Sequence, residues 1–437
     1  MRAPTRAVAV AAAVAALAGA AGWGAVRTLR ADEPLVVPGP LAPAMSGHEI
    51  TSREIERLEA RVTGDPRAAR DRAALAALYL QRSRETGDFE DYRRAEAMAR
   101  RSLDIRVREN AGAARMLAAS LLAQHRFSEA HEVAAEMVRV WPEEASHRAL
   151  LAELQMELGD YDGARATIGS LQSARKHLAV LPRLARWAEM TGRHAEEAEL
   201  LAAAVHEASF RPDLPSEQVA WFHLRAAEFA LRTGRLDDAE ASVRAGLSVE
   251  PNDFRLVAVM VRVEAQRGRW ERAIRYGQLL GDAADMRTLG VLGDAHAALG
   301  DSAAAERLWQ AVEEANAENP EPFARQWTQF RLDHDRHVPE TLALLQEEIQ
   351  TRRDILGYDL LAWALHKSGR HAEARDAMRQ ALRTGSRDPL FLFHAGMIER
   401  ALGNRQAARR YLRDALAVNP RFHHRFAQQA REALAEL

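Results

Sequence analysis

Apolar and small residues recur at helical spacing along most of the chain, interrupted at regular intervals by short polar turns. The pattern is clearest between Ile355 and Pro420, where it is written twice. Leu361 and Ala362 lie eight and seven residues before Gly369, and Ala395 and Gly396 lie at the same distances before Gly403, so each pair falls on one helix face. Ala374 and Ala381 follow Gly369 by five and twelve residues, and Ala408 and Ala415 follow Gly403 likewise, with Pro420 at seventeen. Each copy predicts a helical hairpin. A first helix ends at a glycine able to take the left-handed backbone conformation, a polar turn such as Arg370-His371 follows, and a second helix runs until a proline stops it. The alanines are small where the two helices cross. Neither helix buries its apolar stripe alone, so successive hairpins must stack.

The same turn position recurs at Gly87, His125, Gly159, Gly192, Gly234, Gly268, Gly300, about Asp335, Gly369 and Gly403, at intervals of 38, 34, 33, 42, 34, 32, 35, 34 and 34 residues. Ten hairpins follow. The alanine five residues after the turn stands as Ala130, Ala164, Ala239, Ala273, Ala305, Ala374 and Ala408. Three copies depart: an insert shifts it to Ala95 after Gly87, it slips to Ala198 after Gly192, and the Asp335 copy has neither glycine nor alanine. The longest interval contains Pro212 and Pro215, which forbid continuous helix and predict a longer connection, with a bend between two sub-arrays. Past Pro420, Phe426, Ala430, Ala433 and Leu434 recur at helical spacing against a polar background, as a capping helix requires. No stretch alternates as a strand would, so the chain reads as all-α.

An offset of 34 residues with this small-residue pattern resembles the tetratricopeptide repeat (TPR). The resemblance implies a right-handed α-solenoid in which first helices line a concave face and second helices the convex one. It also implies a protein or peptide ligand in the concave groove. Members that hold chaperone C-termini clamp a carboxylate with lysine and asparagine on first helices. This chain has only Lys176 and Lys367 and no asparagine within a predicted first helix, so that specialisation is not expected.

Ahead of the repeats, Arg2 and Arg6 precede a charge-free run from Ala7 to Val26. Twenty residues at about 1.5 Å each match about 30 Å of hydrocarbon. Export is expected, by an uncleaved anchor or a cleaved signal: Ala16-Leu17-Ala18 and Ala18-Gly19-Ala20 both fit a small-residue cleavage site. Pro34, Pro38, Pro40 and Pro43 then mark an extended spacer. Thr51 and Glu54 form a capping-box pair heading a short helix to about Val62 that covers the first hairpin. The resulting organisation is an export segment over 1–30, a spacer over 31–48, a first array over 49–210, a second over 216–420 and a capping helix over 421–437.

Composition narrows the partners. Sixty basic against sixty-two acidic residues give a formal charge of −2 without a basic run, so a nucleic-acid footprint is absent. The lack of cysteine removes disulfides, cysteine-ligated metals and a lipoprotein anchor. No glycine-rich phosphate loop, serine elbow or zinc-protease helix is present, and neither a cofactor nor a catalytic residue is implied. The sharpest polar cluster, Asp333-His334-Asp335-Arg336-His337, falls on the eighth turn and reads as a solvated turn or, alternatively, as metal ligands. His423-His424 is a weaker pair of the same kind, and His366 and His394 read as packing or groove residues.

Outward positions on the first helices are Arg115, Glu153, Arg186, Glu228, Arg262, Asp294 and Arg325, then Asp359 with Trp363 and Phe393 with Met397. The last two pairs are largely apolar. Asp359, Trp363, Phe393 and Met397 are therefore the candidate partner-binding patch, with a competing reading in which the C-terminal helix folds over them as core. The chain is expected to be a non-enzymatic scaffold at the cell envelope. It is similar to the envelope-attached TPR proteins of bacteria that serve cytochrome maturation, polysaccharide export or outer-membrane assembly. The alternatives are a metal-dependent accessory or enzyme using the Asp333–His337 turn, and a cytosolic signalling adaptor.

Overall fold

All ten residues read as hairpin turns have left-handed backbone, with φ from 55° at Asp335 to 86° at Gly300 in the computed structural model, which describes residues 47–318 and 324–437. Eight are glycine. His125 and Asp335 take the same conformation at φ of 60° and 55°, which costs an L residue about 1–2 kcal/mol. The eighth turn has a second such residue, His337 (φ 47°), and its second helix starts one residue later as a result.

The described residues form 22 α-helices and no strand. Helix α1 (Gly47–Gly64) precedes ten pairs. These are α2 (Ala69–Thr86) with α3 (Glu90–Ile105), α4 (Ala111–Ala123) with α5 (Phe127–Val140), and α6 (Ala145–Leu158) with α7 (Tyr161–Ser170). Next come α8 (Leu181–Met190) with α9 (His194–Ser209), α10 (Ser216–Arg232) with α11 (Leu236–Val249), and α12 (Phe254–Gln266) with α13 (Trp270–Leu280). The last four are α14 (Met286–Ala298) with α15 (Ser302–Glu318), α16 (Ala324–Asp333) with α17 (Val338–Thr351), α18 (Ile355–Lys367) with α19 (His371–Ala381), and α20 (Pro389–Ala401) with α21 (Arg405–Val418). Helix α22 (Phe426–Glu436) closes the chain. The chain is an all-α solenoid.

Small residues sit where the helices cross. Ala130, Ala164, Ala239, Ala273, Ala305, Ala374 and Ala408 are all fully buried, as is the shifted Ala95. On the facing first helix, a Cβ added to Gly396 would lie 2.6 Å from Leu412 Cγ, so nothing larger than hydrogen fits. Two copies fill the alanine slot differently from expectation. After Gly192 the position belongs to Glu197, which is 2% exposed, whereas Ala198 is half-buried. In the eighth hairpin, Thr341 occupies it. The capping-box reading of Thr51 and Glu54 is also corrected. The helix starts at Gly47, so Thr51 lies inside it, donating from Oγ1 to Gly47 O (3.1 Å) and to Glu85 Oε1 (3.1 Å), while Glu54 pairs with Arg57. The predicted export run Ala7–Val26 and the prolines of the spacer lie outside the described residues. Among the described residues no helix is long and apolar enough to cross a membrane.

The solenoid winds far enough to close on itself. At the third turn, Arg353 N donates to Leu158 O (3.3 Å) from the link between the eighth and ninth hairpins, and Arg383 donates to Gly159 O (3.1 Å) from the link between the ninth and tenth. At the fourth, Thr384 Oγ1 donates to Met190 O (2.5 Å) from the link between the ninth and tenth. At the fifth, Asn419 Nδ2 donates to Leu231 O (3.0 Å) from just beyond the tenth. One apolar cluster therefore takes in Tyr161, Trp187 and Leu201 together with Leu361, Phe391 and Leu412.

Candidate ligand-binding cavity

The predicted patch is under the chain's own C-terminus. Asp359, Trp363 and Phe393 are 1%, 4% and 0% exposed, and Met397 is half-buried against the same core. The Phe426 ring of α22 stacks on Phe393 at 5.0 Å between centroids and meets Trp363 edge-on at 6.0 Å. His394 stacks on Trp363 at 4.2 Å, and its Nδ1 lies 2.9 Å from Asp359 Oδ1. The reading of these four residues as an exposed binding surface is thus corrected. Apolar positions at the end of an array must be covered, and the capping helix covers them.

The Asp333–His337 run diverges rather than forming one ligand set. Asp335 pairs with Lys367 (2.5 Å), Arg336 pairs with Glu306, and His334 turns inward to Asp294, with Nε2 2.8 Å from Oδ1. Across the interior, His424 Nε2 approaches Asp294 Oδ2 at 2.6 Å and Arg425 donates to Oδ1 at 3.1 Å. The structure therefore brings His334 and His424 onto a single carboxylate. Burial alone would raise Asp294, but the hydrogen bonds from the two histidines outweigh it and hold the carboxyl far below its usual range. Burial pushes neighbouring Asp333 up to about 6. Among the described residues no group of three or more His, Asp or Glu is arranged to hold a metal ion.

The superhelix lines a half-open cavity of about 460 Å³, within the range of ligand pockets. First helices α8, α10, α12, α14 and α16 form one wall; the starts of α18 and α20 and residues 422–424 form the other. Arg186, Glu228, Arg262 and Asp294 of the predicted concave set face it. Arg325 instead enters a buried pair with Glu348 (2.7 Å) and Asp354 (2.6 Å), and Glu153 pairs with Arg183 (2.7 Å). Arg115 is exposed. Along the first wall the charges form a ladder. Glu189 receives Arg186 at 2.9 Å, Arg225 at 3.6 Å and Arg232 at 3.7 Å; Glu228 receives Arg225 at 2.6 Å and Arg262 at 3.6 Å. Burial would raise Glu189, but its three arginines overcome that and bring it to about 2. Arg262 is lowered instead, by burial first and by the charge of Arg287, against the pull of Glu228. Arg287 is exposed to the cavity and makes no ion pair or hydrogen bond among the described residues. Phe229, Met286, Phe330, Leu356, Phe391 and Phe422 supply the apolar lining. The sequence reading missed Glu189 and Arg225, although the Arg-x-x-Glu spacing of Arg186–Glu189 and Arg225–Glu228 marks them as face-sharing pairs.

A superhelix of stacked hairpins with a ligand-sized interior is a solenoid binding protein. Models of the tetratricopeptide repeat match residues 121–180, and also 357–384 and 391–422. These stretches of the chain are tetratricopeptide repeats. No curated protein sequence matches the chain. Among solved structures, it is similar to the Cut9–Hcn1 hetero-tetramer of the APC/C, at 13% identity and TM-score 0.33, over 88% of this chain and 93% of that one. It is also similar to a tetratricopeptide repeat protein from Parabacteroides merdae, at 17% and 0.34 over 55% and 91%. Yeast Tom70 is similar at 9% and 0.33, over 83% and 96%. TM-scores of this size do not establish a shared overall shape.

Proposed function

We propose that this repeat scaffold is non-enzymatic, holds a segment of a partner protein in the central cavity, and assembles or positions that partner at the cell envelope. The observation that carries the binding reading is the ladder of paired charges and apolar side chains turned into the cavity. Glu189, Glu228 and Asp294 are each engaged by arginine or histidine, which fixes the charged groups that a bound segment would meet. The test is photo-crosslinking in cells from a reactive residue placed at Gln329, in the cavity, or at Arg379, on the outer side of α19. A discrete partner captured from Gln329 and not from Arg379 is expected; equal capture from both positions overturns the cavity assignment.

The envelope part rests on the charge-free run Ala7–Val26. Each arginine near a membrane centre costs about 2.5–3.5 kcal/mol, so Val10→Arg with Val14→Arg is expected to retain the full chain in the cytoplasm on fractionation. If the double variant reaches the same compartment as the parent, the envelope reading is wrong.

A further inference from the structure

Two arginines from successive first helices converge on one carboxylate in the cavity, and the charge of a third, Arg287, reaches both that carboxylate and Arg262. Arg225 of α10 takes Glu228 Oε2 at 2.6 Å, leaving Oε1 to Arg262 of α12 at 3.6 Å, while Arg287 of α14 has no ion-pair partner among the described residues. Arg225 has a second acid in Glu189 (3.6 Å); Arg262 and Arg287 lack that relief. Asp285, which caps α14 by accepting from Thr288 N at 2.8 Å, is the other acid whose charge reaches Arg262. The excess positive charge is therefore local to Arg262 and Arg287. Elsewhere in the cavity Glu189 is held by Arg186 and Asp294 by His334 and His424. Phe229, Met286 and Phe330 border the arginines with apolar surface.

We propose that the cavity binds an acidic peptide segment, seating a carboxylate between Arg262 and Arg287 and an adjacent apolar side chain against Phe229, Met286 and Phe330. This rests on the reading of the cavity as a protein-binding site and names its chemistry. A carboxylate there completes the ladder: each guanidinium gains a charge-assisted hydrogen bond. Burial and the charge of Arg287 together lower Arg262, a tension that a bound anion relieves. A basic segment would face the same two arginines with like charge and is rejected.

The carboxylate can come from an acidic side chain or from a chain terminus, and the probes separate the two. Four short fluorescein-labelled peptides are titrated against the full chain by anisotropy: Leu/Glu, Leu/Gln and Leu/Lys alternations with amidated C-termini, and Leu/Gln with a free C-terminal carboxylate. The Leu/Glu amide is expected to bind at least about tenfold more tightly than the Leu/Gln amide, with affinity falling between about 50 mM and about 300 mM NaCl. A gain by the free-carboxylate Leu/Gln peptide alone assigns the site to a chain terminus and overturns the acidic-segment proposal. Arg287→Ala is expected to weaken Leu/Glu binding about tenfold at an unchanged melting temperature, since Arg287 makes no ion pair or hydrogen bond among the described residues. Arg287→Glu shifts the preference toward Leu/Lys.

If the Leu/Gln amide binds as tightly as Leu/Glu, or if Arg287 variants leave the affinity unchanged, the proposal falls while the protein-binding reading stands. If no peptide binds but inorganic phosphate raises the melting temperature in an Arg287-dependent way, the cavity is a small-anion site and both readings fall.

Discussion

Seven of the eight turn glycines fall into two groups that look alike in sequence and differ in what surrounds them. Gly268, Gly300, Gly369 and Gly403 have φ of 72–86° and face open space: a Cβ on any of them meets nothing within 4 Å. Gly159, Gly192 and Gly234 have the same backbone, at 70–79°, but stand against the next turn of the superhelix. A Cβ there would lie 2.3 Å from Arg353 O, 2.5 Å from Gly385 O and 2.8 Å from Asn419 Oδ1 respectively. The first group is glycine for one reason, the left-handed conformation that ends a helix. The second group is glycine for two, because its missing side chain also lets backbone approach backbone where the solenoid closes. Closure is what gives the groove its second wall.

The strongest way to break this comparison is to remove the closing half. Phe393 and Trp363 anchor α22 and the segment before it, and that segment carries Asn419, Phe422 and His424 onto the fifth to seventh hairpins. Phe393→Ala and Trp363→Ala are each expected to cost about 3–5 kcal/mol by lost burial and cavity formation, read as a lower urea midpoint. An unchanged midpoint for both would sink the assignment of these residues to core.

The glycines themselves test the difference directly. Gly369→Ala should cost about 1–2 kcal/mol, the strain of a left-handed L residue. Gly159→Ala carries the same strain plus an overpacking term of about 1–3 kcal/mol, because the obstructing atoms are the Arg353 carbonyl and the Asp354 nitrogen rather than the end of a flexible side chain. Equal losses for the two alanine variants, compared in the same denaturant titration, would show that the closure seen at Gly159 contributes nothing to stability.

What the sequence reveals follows the reach of each interaction. Hairpin turns depend on backbone conformation over a few residues, so all ten were legible, including His125 and Asp335, where glycine is missing but the spacing holds. The alanine at the helix crossing is nearly as local, and it misled only where the slot is filled by something else. Glu197 occupies it with Arg232 as a partner at 2.5 Å, an arrangement that a rule demanding a small residue passes over in favour of Ala198. Closure leaves no such trace. Thr384 Oγ1 reaches Met190 O and Asn419 Nδ2 reaches Leu231 O across 194 and 188 residues, and the acceptors are main-chain carbonyls that every residue possesses. The cavity was half legible for the same reason: helix periodicity places Arg186, Glu228 and Arg262 on inner faces, but only the closed superhelix sets residues 422–424 opposite them. The apolar patch at the array's end shows the limit most clearly. Exposed recognition surface and capped core call for the same residues, and only the position of Phe426 decides between them.

Glu197 gives the finest test, because it is a carboxylate on the closed side of the molecule in a slot where the hairpins of the open turns have alanine. Burial raises it from 4.5 to about 7, with Arg232 pulling the other way and Glu189 adding to the rise. Between those two values the folded chain holds a proton that the unfolded chain releases. Its contribution is therefore fully present below about 4.5 and declines as pH rises to about 7. Half-buried His194 and His366 have the opposite sign: desolvation lowers each to about 4, so the folded chain binds fewer protons than the unfolded one up to 6.5, and stability rises with pH across that interval. Asp333, raised to about 6, acts in the same sense as Glu197. The net pH profile mixes these terms, so Glu197 must be isolated by difference. Glu197→Gln keeps the shape and an oxygen for Arg232 but cannot titrate. Relative to the parent, it is expected to gain on the order of 1 kcal/mol between about pH 5 and about pH 8, read from urea midpoints of both proteins at each pH. Parallel profiles across that range would mean that Glu197 stays ionised in the fold, held by Arg232 despite its burial.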